Sequence, residues 1–271
     1  MEIFKPGSFF DLSTVKFGHI LRRYDLVWEI IRDIKDICLE YANGKPNIVA
    51  EIGCFQKPLP DTIVIWQDRI YRHGFRILGG DPTKGTFKVA IDGEETFEAS
   101  VIYAGAILWD EKIWIGKGVV IEPGALVKGP TVIGDGSEVR QGAYVRGRAL
   151  IGERCVVGHT TEVKNAVFLD EAKAGHFAYV GDSILGKNVN LGAGTKLANL
   201  KMNRRMVTIR IEGEEIPTNL HKLGAVLGDG TETGCNSVTN PGVLIGPRGL
   251  VWPGVVVPSG YYPPDSSLTA Y

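Results

Sequence analysis

Few side chains in this 271-residue chain can do acid–base or nucleophilic chemistry, and the five histidines and four cysteines come first. An unperturbed imidazole has a pKa near ~6.5, so it can take up and return a proton at neutral pH. Most lone histidines only satisfy a local hydrogen bond, and His19, His73, His159 and His221 are read that way. His176 is set apart because it follows Gly175 at a break in an otherwise regular repeat. Cys38, Cys54, Cys155 and Cys235 are widely spaced and form no CxxC, which excludes a zinc knuckle or a disulfide framework and makes a reducing compartment the expectation. No metal site is expected. Arg146 and Lys164 form a second candidate group. They lie 18 residues apart, each one place after an aliphatic residue. If three hexads make one coil, the two cations stack about 4.8 Å apart and suit an anion between them. Lys128, one coil earlier on the same edge, reads as a solvated corner charge.

Such groups need a rigid frame, and the sequence contains one. Ile115, Ile121, Val127, Ile133, Val139, Val145, Ile151, Val157, Val163 and Leu169 recur every sixth residue. A small or β-branched residue follows four places after each of the first nine, from Val119 to Val167. Two residues before the next aliphatic, it shares that residue's face of a strand. Gly or Pro falls mostly one or three places after each aliphatic, which helps to account for 35 Gly in the chain. Each hexad is therefore a short strand and a corner, the signature of a parallel β-solenoid. The period returns at Leu185, Leu191 and Leu197, and again from Leu227 to Val257. It slips after Leu169, where the count of six puts Gly175 in an inward slot. A charged insertion near 200–225 interrupts it, and loops on a rigid scaffold are common places for sites.

Residues 1–110 read as a small α+β unit ahead of a solenoid spanning 111–271. Residues 24–42 have helical apolar spacing stopped by Asn43-Gly44, and the runs IVAEI, TIVIW, FKVAI and ASVIYA read as strands. The Gly79-Gly80 turn is not a P-loop, and no nucleoside-triphosphate motif is present. A net charge of -1 gives no field to draw nucleic acid or an anionic membrane. No apolar run reaches the ~20 residues of a transmembrane helix, and MEIFKPGSFFDLS shows no basic n-region followed by an apolar stretch, so a cytoplasmic protein is expected.

The stretch VRGRALIG, TEVKNA, KAGHFAYVGD and NVNLGAGT, from Val145 to Asn199, resembles the hexapeptide-repeat acyltransferases. It is similar to the acetyltransferase domain of the bifunctional enzyme that makes UDP-N-acetylglucosamine. The resemblance implies a mainly β fold, a left-handed parallel β-helix with three sides, and a homotrimer with sites between subunits. It also implies acetyl-CoA as co-substrate and a phosphorylated amino sugar such as glucosamine 1-phosphate as acceptor. In that pattern His176 matches the general base and Glu162 a carboxylate beside it. Arg146 and Lys164 match residues that hold the sugar phosphate, while Tyr179, Asn190 and Asn199 match positions that contact the sugar or acetyl group. Lys222 matches another sugar-site lysine loosely. Ala193, Cys235 and Pro253 match backbone contacts to the acyl donor. Leu200 stands where the family has Tyr after Asn199, which puts the identity of the sugar in question. Two further readings stay open: a non-catalytic module that oligomerises with or regulates a sugar-nucleotide enzyme, and an acyltransferase acting on a nucleotide-linked amino sugar.

Overall fold

In the repeat, each hexad forms a strand of two to four residues followed by a corner, and successive strands lie on three different sides of a coil. The protein is described here by a computed structural model covering residues 2–43 and 46–269. The first side runs in parallel from Ser100–Ile102 through Val120–Ile121, Glu138–Val139, Val156–His159, Lys173–His176 and Asn190–Leu191 to Ser267–Leu268. The second starts at Ile107–Leu108 and includes Tyr144–Val145, Glu162–Lys164, Tyr179–Gly181 and Lys196–Leu197. The third runs from Ile113–Ile115 to Gly260–Tyr262. This is the parallel β-helix expected from the hexads, and it fits the left-handed class. Its first parallel strand lies at Ser100–Ile102, inside the stretch assigned above to the N-terminal unit.

Inward residues stack in columns. Val127, Val145, Val163 and Val180 are paired in register and fully buried. Each such side chain stabilises the fold by about 1.5–3 kcal/mol. The phase slip has a local cause, and it corrects the placement of Gly175. The coils that contain Val163 and Val180 each lose one residue at the second corner, so Phe168 rather than Leu169 pairs with the inward Ile151. Ala174 rather than Gly175 then fills the inward slot between Val157 and Leu191. Leu169 instead joins the apolar layer outside the coil.

That outer layer uses the N-terminal residues. The helix occupies Ile30–Ala42, shorter than the expected 24–42. Ahead of it the Val27 amide donates to the Phe4 carbonyl at 2.8 Å, and the Glu29 carboxylate accepts from the Leu26 amide at 3.0 Å, so the segment is tied to other groups. Asn43 is its C-cap, and Gly44 lies outside the described residues. The helix and the 200–225 insertion cover the third side, whose outward Val132, Leu150, Val167, Ile184, Val226 and Leu244 are all buried. Strands covered on both faces are apolar on both. The insertion is a β-hairpin, Thr208–Ile211 with Glu214–Pro217. A small antiparallel sheet of Phe75–Gly79, Lys88–Ile91 and Glu94–Thr96 covers the start of the first side. The IVAEI run does not form a strand. Ala50–Ile52 is a 3-10 turn that directs Ile48, Val49 and Ile52 into the open end of the coil stack. Outward residues of the second side, among them Tyr144, Glu162, Tyr179, Lys196 and Val256, remain partly or fully exposed.

Candidate active site

The corner between the first and second sides lines up one column of residues. Backbone hydrogen bonds run from Thr160 to Gln141, Phe177 to His159, Gly194 to His176, Asn236 to Ala193 and Gly254 to Cys235, at 2.8–3.2 Å. Gln141, His159, His176, Ala193, Cys235 and Pro253 therefore occupy equivalent places in successive coils. Just before them, Gly158, Gly175, Gly192 and Gly234 form a second column. A Cβ on Gly158 would lie 1.8 Å from the Gly175 carbonyl oxygen, so only glycine lets the coils approach this closely. The three residues matched to acyl-donor contacts thus share a corner with His176, which ends its strand exposed. Proline has no amide hydrogen, so at Pro253 only the carbonyl and the ring can make a contact.

The second side begins three residues after His176 with Tyr179, and Glu162 precedes Tyr179 by one coil in register. Arg146 and Lys164 take the same edge position in adjacent coils, as their spacing of 18 implied. Each already has a carboxylate partner. The Arg146 guanidinium reaches Glu162 at 2.7 Å, which raises its pKa, and the Lys164 ammonium reaches Asp182 at 2.8 Å. An anion would therefore compete with Glu162 for Arg146. Burial, then the nearby Asp182 and Glu162 charges, raise the Tyr179 hydroxyl pKa against an opposing hydrogen bond with Asn199.

Asp182 is the residue that sequence reasoning missed. It is only 4% exposed and accepts from Lys164, from the Asn165 amide at 2.9 Å and from the Asn199 amide. The second Asn165 bond, to the Ile31 carbonyl at 3.1 Å, ties this cluster to the N-terminal helix. Asn165 and Asp182 both adopt left-handed φ at the shortened corner, 50° and 47°. The signal was present in the sequence: Asn165, Asp182 and Asn199 are each 17 residues apart, the length of the shortened coil. The insertion leaves and returns at this corner, where the Leu223 amide bonds the Asn199 carbonyl at 3.0 Å, so the exposed Lys222 comes back beside Asn199.

Asn190 is not brought to this group within one chain. It pairs with Lys173 and Glu232 at the start of the first-side strands, whereas His176 lies at the far end. Cys155 faces inward and its thiol is pushed up to about 12 by burial. Among the described residues no cluster of three His, Cys, Asp or Glu could hold a metal ion, and no helix is long and apolar enough to cross a membrane.

Comparison with known proteins adds sequence relatives to this geometry. The family described as the GMPPB C-terminal domain matches residues 127–233. A bifunctional sugar-1-phosphate nucleotidylyltransferase/acetyltransferase of Sulfurisphaera tokodaii is 41% identical over 101 residues, 37% of this chain and 25% of that protein. A bifunctional protein GlmU of Methanococcus maripaludis is 39% identical over 94 residues, 35% of this chain and 23% of its own length. The chain thus spans about a quarter of the length of these relatives. An uncharacterized acetyltransferase, YaiX, of Escherichia coli O6:K15:H31 is 35% identical over 172 residues, 61% of this chain and 75% of that protein.

Proposed function

The chain belongs to the hexapeptide-repeat β-helix acetyltransferases, and from that premise we propose that it transfers an acetyl group from acetyl-CoA to the amine of a phosphorylated amino sugar of the glucosamine 1-phosphate type. The observation that supports this best is the shared corner column of His176, Ala193, Cys235 and Pro253, beside Glu162 and Tyr179. A thioester laid along that column places its carbonyl near the His176 imidazole. His176 removes a proton from the amine as its nitrogen attacks the acetyl carbonyl. The C–N bond forms, the C–S bond breaks, and the CoA thiolate takes that proton from the His176 imidazolium as it leaves, which restores the neutral base. Corner backbone N–H groups stabilise the oxyanion. Glu162 lies beside the base and gives up Arg146 when the sugar phosphate arrives, so that Arg146 and Lys164 hold it together. Tyr179 and Asn199 face the sugar, with Lys222 at the returning loop. Asn190 reaches the acceptor only from a neighbouring copy, which fits a cytoplasmic homotrimer with shared sites.

The internal pairing of Arg146 with Glu162 and of Lys164 with Asp182 favours a second reading, a β-helix that binds or regulates a partner without turnover. Thiol release from acetyl-CoA, tested against glucosamine 1-phosphate, other amino-sugar phosphates and nucleotide-linked amino sugars, separates the two readings. Release that needs an amine acceptor and is lost in His176→Ala supports transfer. Silence with every acceptor, or full activity in His176→Ala, rejects the mechanism. A monomer by mass measurement at working concentration rejects the shared site.

A further inference from the structure

Eight residues hold the left-handed position of the corner that carries His176: Gly105 (φ 86°), Gly124 (76°), Gly142 (73°), Thr160 (51°), Phe177 (52°), Gly194 (76°), Asn236 (57°) and Gly254 (72°). Seven of them are glycine or small polar residues, which tolerate this conformation to different degrees. A bulky side chain there is a backbone outlier, and such outliers gather at functional sites. Core packing does not account for Phe177, because it is 55% exposed. Its ring does have specific neighbours. It meets the His159 ring edge-on, 5.4 Å between centroids at 79°, and the His176 ring at 6.4 Å and 41°. His159 is anchored in turn, since its Nδ1 lies 2.9 Å from the Gln141 carbonyl oxygen. A carbonyl only accepts, so Nδ1 donates, and this fixes both the ring plane and the tautomer.

We propose that Phe177 is a positioning residue for His176, held against it by the His159–Gln141 anchor so that the imidazole faces the acyl-donor column instead of swinging into solvent. The proposal rests on the acetyl-transfer reading. It also accounts for His159, the histidine one coil away in register with His176. A ring contact at 5–6 Å is weak alone, but it limits rotation of an exposed imidazole whose alignment matters to the transfer.

Phe177→Gly is the test, because glycine relieves the left-handed backbone while removing the ring. The melting temperature is expected to stay the same or rise. kcat is expected to fall about 10-fold or more with KM nearly unchanged, the mark of lost alignment. Phe177→Tyr keeps the ring and should restore kcat. Proton–carbon NMR of the histidine rings reads the contact without turnover: the His176 and His159 resonances should move toward free-imidazole positions in Phe177→Gly and stay in place in Phe177→Tyr. Unmoved resonances, an unchanged kcat, or a lower melting temperature accompanied by wild-type kcat would overturn the proposal. A wild-type protein that releases no thiol with any acceptor rejects the transfer reading instead, and the ring resonances still decide the role of Phe177.

Discussion

Asn165 and Asp182 are held together across adjacent coils by a 2.9 Å amide–carboxylate hydrogen bond, at the corner where each coil has lost one residue. The same carboxylate accepts from Lys164 and Asn199, so its removal leaves three donors without their acceptor. Asp182→Ala is therefore expected to cost about 2–4 kcal/mol of stability, because breaking a largely buried charge pair is expensive. Urea unfolding measures this, and a shift below ~1 kcal/mol would refute the structural role given to Asp182.

The Arg146–Glu162 pair is a contrast. Its side chains are 43% and 34% exposed, and such pairs contribute about 0–1 kcal/mol. Glu162→Gln should leave the melting temperature almost unchanged and release Arg146. KM for a phosphorylated acceptor then falls, whatever happens to kcat, while KM for the unphosphorylated sugar stays put. Equal KM changes for both acceptors would mean that Arg146 does not hold the phosphate.

His176→Ala is expected to lower kcat by about 10²–10⁴ with little effect on folding, since the side chain is exposed and lies outside the core. Thiol release and circular dichroism, measured on the same preparation, separate lost chemistry from lost structure.

Thiol labelling gives a direct reading of the acyl-donor corner. Cys235 is exposed and Cys54 half-buried, while burial pushes the Cys38 and Cys155 thiols up to about 12. Native protein should label fast at Cys235, more slowly at Cys54, and at Cys38 and Cys155 only on unfolding. Acetyl-CoA should slow labelling at Cys235 and leave Cys54 unaffected. Equal protection of both would place the acyl donor elsewhere.

Much of the frame was legible because a six-residue period leaves an inward side chain nowhere else to go. From Ile121 to Val163 that period gave the columns directly. It misled at Leu169 and Gly175, since counting by six cannot see a shortened corner. The true inward residues, Phe168 and Ala174, became visible only through strand pairing. The candidate site was legible in part: the spacing of 18 put Arg146 and Lys164 on one edge. It did not disclose that each holds a carboxylate, because a lone Asp after Gly, as at Asp182, looks like an ordinary turn residue. The helix start was misjudged for a similar reason. Apolar spacing over 24–29 is satisfied there by turns tied to Phe4 and Glu29 rather than by helical bonds.

The plug formed by Ile48, Val49, Ile52 and Leu59, with strand Ile63–Trp66 running antiparallel to Ser100–Ile102, has a bearing on self-association. A stack of parallel coils ends in bare strand edges on which another chain's strands could continue the ladder. Here the first coil's apolar floor is filled, and its neighbouring strand runs the wrong way for parallel extension. The solenoid is thereby protected at that end against head-to-tail polymerisation into fibres, and association is left to its flanks.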